Sequence, residues 1–190
     1  MEDEKRLEFI YKAIEDTTNT IRALDTKINY VFVAIGLVFA LMGVVFQRVL
    51  DVYDLYKAVP WISGTLLLLL IIYAFTTVIS VWFGYKTLIP KNNPEEHVDC
   101  SDVSPNKLWY LVNNKKGIIS ISLKDYYDKM ENLSISDLVL ASSFELLKAS
   151  YIRNIKLENS KKSIFNFIIS VFAFTGVIII LFLHYFILKG

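Results

Sequence analysis

Charge is missing from three long stretches of this chain, and cysteine and histidine are scarce throughout. Cys100 is the single cysteine, which rules out a disulfide framework within one chain. His97, Asp99, Cys100 and Asp102 form the one cluster with metal-type side chains. No second Cys or His pair completes a zinc pattern around them, so they read as a solvated loop and no metal or cofactor is expected. There is no Gly-rich phosphate loop and no nucleophile elbow, and His184 falls near the end of an apolar run, where a packing or interfacial role is ordinary. No catalytic residue can be named, and an enzyme is not expected. Twenty Lys and Arg against nineteen Asp and Glu leave a net charge of +1, too little basic field to attract nucleic acid. The first 27 residues lack the basic region and small-residue cleavage site of a signal peptide and are expected to stay on the mature protein.

What the chain has instead is apolar length. Ile28 to Gln47, Ala58 to Tyr85 and Ser163 to Leu188 are uncharged runs of 20, 28 and 26 residues. At about 1.5 Å of helical rise per residue each reaches the roughly 30 Å of a bilayer's hydrocarbon core. Lys27 and Arg48, Lys57 and Lys86, and Lys162 and Lys189 bracket the three runs, and Tyr30, Trp61, Trp82 and Tyr85 lie near ends of the first two. Cations and amphipathic rings at these positions suit the headgroup level. The expected fold is a mostly α membrane protein with three transmembrane helices, at 28–47, 58–85 and 163–188.

Lysine and arginine also orient the spans. Residues 1–27 carry five, the turn at 48–57 two and the segment 86–162 twelve. The positive-inside rule therefore puts the N-terminus and the middle segment in the cytoplasm and the C-terminus outside.

Outside the membrane, residues 1–27 read as an amphipathic helix. Leu7, Ile14, Ile21 and Ile28 recur every seven residues, with Ile10, Thr17, Leu24 and Val31 three places after each. That spacing suits packing against another helix of the same chain or a self-association seam. In the middle segment, 108–112 and 118–121 predict a hairpin around a five-residue turn. Ser122 with Asp125 and Ser134 with Asp137 predict two helix starts, the second with an apolar stripe through Leu140, Phe144, Leu147, Tyr151 and Ile155. A small cytoplasmic head at 86–162, helical with this hairpin, would sit with the N-terminal helix on the membrane stem. Trp109 and Tyr110 beside Lys115 and Lys116 offer stacking surface and positive charge for a nucleotide-like anion, or are ordinary core aromatics and turn lysines.

The spans carry small and polar residues at helical spacing: Tyr73, Thr77, Ser80 and Gly84 in the second, Asn166, Ser170, Ala173 and Gly176 in the third, and Gly36, Ala40 and Gly43 in the first. Such stripes mark either close helix packing or a lining wetted in an oligomer. Charges inside the spans are absent, which disfavours a proton relay or ion-coupled carrier.

Leu24-Asp25-Thr26-Lys27 at the lip of the first span, the second span and soluble segment, and a charged helix with Lys156 entering the last span resemble the transmembrane effector family of Pycsar antiphage defence. The resemblance covers almost the whole chain. It implies a bacterial inner-membrane effector, acting with a cognate nucleotide cyclase, that answers a cyclic mononucleotide (cUMP or cCMP) by oligomeric disruption of the bilayer and growth arrest. Under it, Asp25 and Lys27 would couple head to stem, or serve simply as interfacial charges, and Thr77, Ser80, Asn166 and Ser170 would line a pore or pack helices. The alternative is a non-enzymatic membrane anchor or assembly subunit that holds a cytoplasmic partner.

Overall fold

In a computed structural model, residues 2–55, 59–89, 97–99 and 122–189 are described, with the side chains of 55, 129 and 184–189 left aside. They form four helices: α1 (Glu2–Leu55), α2 (Pro60–Leu88), α3 (Leu123–Glu131) and α4 (Ile135–Lys189). No strand occurs among the described residues, and the predicted hairpin at 108–121 lies outside them. Three helices, α1, α2 and α4, are long and apolar enough to cross a membrane, as the apolar runs predict.

Local chemistry accounts for the helix starts. Pro60 occupies the first turn of α2, where its missing N–H would have no partner anyway. Ser122 accepts the Asp125 backbone N–H at 3.1 Å and caps α3. At α4 the box closes in both directions: Ser134 Oγ accepts the Asp137 N–H at 3.2 Å, and the Asp137 carboxylate accepts the Ser134 N–H at 3.1 Å. The Ser134 hydroxyl, with its backbone N–H second, holds the Asp137 carboxyl below its usual range.

The seven-residue repeat of α1 does not stop at the membrane. Beyond Ile28 and Val31 it continues through Ile35, Val38, Met42, Val45, Val49 and Val52, and every position of the repeat from Leu7 onward is buried or half-buried. Ile28 is wholly buried, Leu24 is 5% exposed and Thr17 is 4% exposed. The seam is thus filled within a single chain, the first of the two uses its spacing allowed.

The chain divides into two compact units. One comprises Met1–Arg22 and Lys91–Asn154, the other Ala23–Pro90 and Ile155–Gly190. In the first, the stripe predicted on α4 is displaced by part of a turn. Leu147 is 55% exposed, whereas Ala141, Ser142, Phe144 and Lys148 are buried. Small Ala141 and Ser142 allow close approach on this face, and Lys148 is tolerated there because its ammonium lies 2.6 Å from Glu145 and 4.9 Å above the Phe144 ring. His97 stacks on Tyr151 with ring centroids 4.4 Å apart.

The second unit is a three-helix bundle. Its core has two apolar clusters, one built on Met42, Tyr73, Ala173 and Phe174 and the other on Val49, Val52, Leu66 and Val177. α4 follows α1 in parallel, and α2 runs antiparallel to both. The outward faces are apolar: Val33, Leu37, Val44, Phe75, Val78, Phe165, Phe172 and Phe182 are all more than half exposed. Since lipid is as apolar as these side chains, such helices are held together by packing and hydrogen bonds rather than by hydrophobic burial.

Candidate functional site

Inside this bundle, polar side chains are buried behind a largely apolar exterior. Thr76, Ser80 and Thr87 of α2 and Ser160, Ser163 and Ser170 of α4 are all buried. Ser80 Oγ donates to the Ser163 carbonyl at 2.8 Å, and Ser163 Oγ donates to the Ser80 carbonyl at 2.8 Å. The two hydroxyl oxygens are 3.4 Å apart and both residues are fully buried. This reciprocal pair fastens α2 to α4. In a membrane an interhelical hydrogen bond contributes only about 0.6 kcal/mol on average, so the fastening is local and modest.

One turn beyond Ser80, Gly84 lets the three helices meet. A Cβ at Gly84 would stand 2.8 Å from the tip of the Phe32 ring and 3.2 Å from Ser163 Oγ. A side chain at this position would have to displace the tip of the Phe32 ring. Gly36 and Gly43 differ: a Cβ on either would meet nothing within 4 Å. Together with exposed Ala40 they form a small-residue face of α1 left open by its own chain.

At the lip of the bundle, the Lys156 ammonium meets Asp25 Oδ1 at 2.5 Å. The lysine side chain is 8% exposed and the aspartate 34%. Nearby cations rest on rings, with Lys86 Nζ 4.9 Å from the Trp82 centroid and Lys162 Nζ 5.4 Å from that of Phe83. Lys162 also draws the Glu158 carboxyl below its ordinary value, chiefly through their 2.6 Å hydrogen bond.

Elsewhere in α2 and α4, the hydroxyls of Thr76, Thr77, Thr87 and Ser170 donate to carbonyls of their own helices. Tyr73 does not follow them. Its ring lies 5.9 Å from that of Phe174, and its buried hydroxyl has no hydrogen-bond partner.

Of the polar positions singled out by spacing, Ser80 and Ser170 are buried in the seam, Thr77 and Asn166 are half-buried, and Lys27 is exposed. Asp25 is drawn to Lys156, a pairing that requires α1 and α4 to align with residues 131 apart. Ser163, Thr76, Thr87 and Phe32 went unrecognised. The regular recurrence of Ser163 and Ser170 seven residues apart was the available signal. Trp109, Tyr110, Lys115, Lys116, Cys100 and Asp102 lie outside the described residues, among which no group of acidic, histidine or cysteine side chains could hold a metal ion. On the first unit, an open groove of about 520 Å³ is lined by Lys5, Arg6, Phe9, Ile10 and Val139, among others. Arg6 is tied to Glu2 at 2.6 Å, which tempers the charge there.

Neither a curated protein nor a solved structure matches this chain. A family model described as the Pycsar effector protein domain matches residues 9–184, from the first unit through the last span. The chain therefore belongs to the Pycsar effector family, whose members serve in antiphage defence.

Proposed function

We propose that this protein is a non-enzymatic effector of the bacterial inner membrane that answers a cyclic mononucleotide, cUMP or cCMP, by permeabilising the bilayer as a homo-oligomer. The family match supports the signalling half of the reading. The observation that carries the membrane half is a bundle with buried serine and threonine hydroxyls behind a largely apolar exterior. A ligand can shift such a bundle only by binding one state better than the other. Three helices enclose little water by themselves, so the active form requires more than one copy.

Recording of membrane potential in cells expressing the chain with its cognate cyclase tests this reading. Phage infection should depolarise the membrane before lysis, and cells with an inactive cyclase should hold their potential. Retained potential throughout infection, with the protein present in the membrane, would reject permeabilisation and leave the anchor reading in its place.

A further inference from the structure

We propose that the permeation path is lined by the buried hydroxyl face of α2 and α4, and that it opens where these helices part at Ser80 and Ser163. This rests on the permeabilisation reading above and locates it in the molecule. Water needs polar partners along its way, and the outward faces of the spans supply few: Phe75, Val78, Phe165 and Phe172 point outward, and the exposed hydroxyls of Thr65 and Thr175 stand apart from one another on α2 and α4. Intact bundles set side by side would bring apolar surfaces together, and a constriction of that kind empties of water. The inward face of α1 is equally apolar, with Ile28, Met42, Val49 and Val52 buried. Among the described residues, the buried hydroxyls of the bundle belong to α2 and α4, and Ser80 and Ser163 meet between these two helices.

Two features make this seam suited to opening. The bonds of Thr76, Thr87 and Ser170 stay within their own helices, so separation leaves them intact and adds water to oxygens that can still accept. The Tyr73 hydroxyl is unpaired in the closed bundle and gains a partner once water enters. The Ser80–Ser163 bonds are what separation must break. A parted α2–α4 pair forms half a lumen, and the same pair from a second copy closes it. A lining of neutral hydroxyls carries small hydrated ions of either sign.

Full-length protein with Cys100→Ser, in phosphatidylethanolamine and phosphatidylglycerol vesicles that hold the chloride-quenched dye lucigenin and are diluted into chloride, provides the test on addition of cUMP or cCMP. Ser80→Cys with Ser163→Cys, oxidised to a disulfide, should lose chloride influx, and dithiothreitol should restore it. Influx with the bridge intact by peptide mass would overturn the seam while leaving permeabilisation standing. Silence from the Cys100→Ser parent with both nucleotides would overturn permeabilisation and the seam with it. A second measurement uses single cysteines and a charged methanethiosulfonate reagent. Ser80→Cys should become reactive only after nucleotide is added and Phe172→Cys should stay protected; the opposite pattern would place the path on the outer faces.

Discussion

Lys156 and Asp25, 131 residues apart in the chain, form an ion pair in which the cation is almost completely removed from water and the anion is one-third exposed. Removing one partner of a buried pair costs more than removing both, because the survivor is left as an uncompensated charge. Asp25→Asn should therefore destabilise the protein by roughly 2 kcal/mol, below the 3–5 of a fully enclosed pair because Asp25 retains some solvent. Asp25→Asn combined with Lys156→Met should recover a substantial part of the loss. Chemical denaturation in detergent, arranged as a double-mutant cycle, reads the coupling. Strictly additive losses would mean that the pair is not energetically joined.

Gly84 and Gly36 should respond in opposite ways to the same substitution. Gly84→Ala pushes a methyl against the Phe32 ring tip, which can yield, for a cost of about 1 kcal/mol; Gly84→Leu cannot be accommodated so easily and should cost about 3. Phe32→Ala should relieve part of the Gly84→Leu loss. Gly36→Ala should leave the melting temperature in detergent unchanged, since nothing lies within 4 Å of the new methyl.

Assembly should depend on the open face of α1 rather than on its heptad seam. Ile10, Thr17 and Leu24 are already buried within the chain, so Ile14→Asp with Ile21→Asp should lower stability instead of producing a folded monomer. Gly36→Leu with Gly43→Leu should leave the fold intact and reduce the oligomer mass by light scattering corrected for bound detergent. An unchanged mass would move the contact between copies elsewhere.

Acid should loosen the start of α4. The folded-state pKa of Asp137 lies below its ordinary 3.8, so the stabilisation from its capping bonds is fully present above that value and is lost as pH falls through the folded value. Ser134→Ala should cost about 1 kcal/mol at neutral pH and speed amide exchange in the first turn of α4. In that variant the exchange should respond less to acid than in the parent, which amide exchange across the range below pH 4 would show.

How much of this was legible in advance depends on the range of the interaction. The caps at Ser122 and Ser134 are written within four residues, and the three spans are written in composition alone. The repeat from Leu7 to Val31 was visible because polar residues separate its apolar positions. Its continuation from Ile35 to Val52 was hidden because nearly every neighbour there is apolar too. For the same reason the polar stripe of the second span was drawn through Thr77 and not Thr76, whereas the structure buries Thr76 more deeply. The Ser80–Ser163 and Asp25–Lys156 pairs depend on the register between distant helices, which no local pattern encodes. Leu147 was misplaced because the close approach of Ala141 and Ser142, rather than the largest apolar side chains, decides which face of α4 turns inward.

The uncharged interior of the spans has one more consequence. A charge moved across a membrane exchanges about 2.3 kcal/mol with each 100 mV of potential, which is how voltage opens or closes some channels. Between Ile28 and Gln47, Ala58 and Tyr85, and Ser163 and Leu188 there is no Asp, Glu, Lys or Arg to carry such a charge. Rearranging these helices draws no electrical work from the cell. A change of membrane voltage therefore exerts no force on them through such a charge, in either direction.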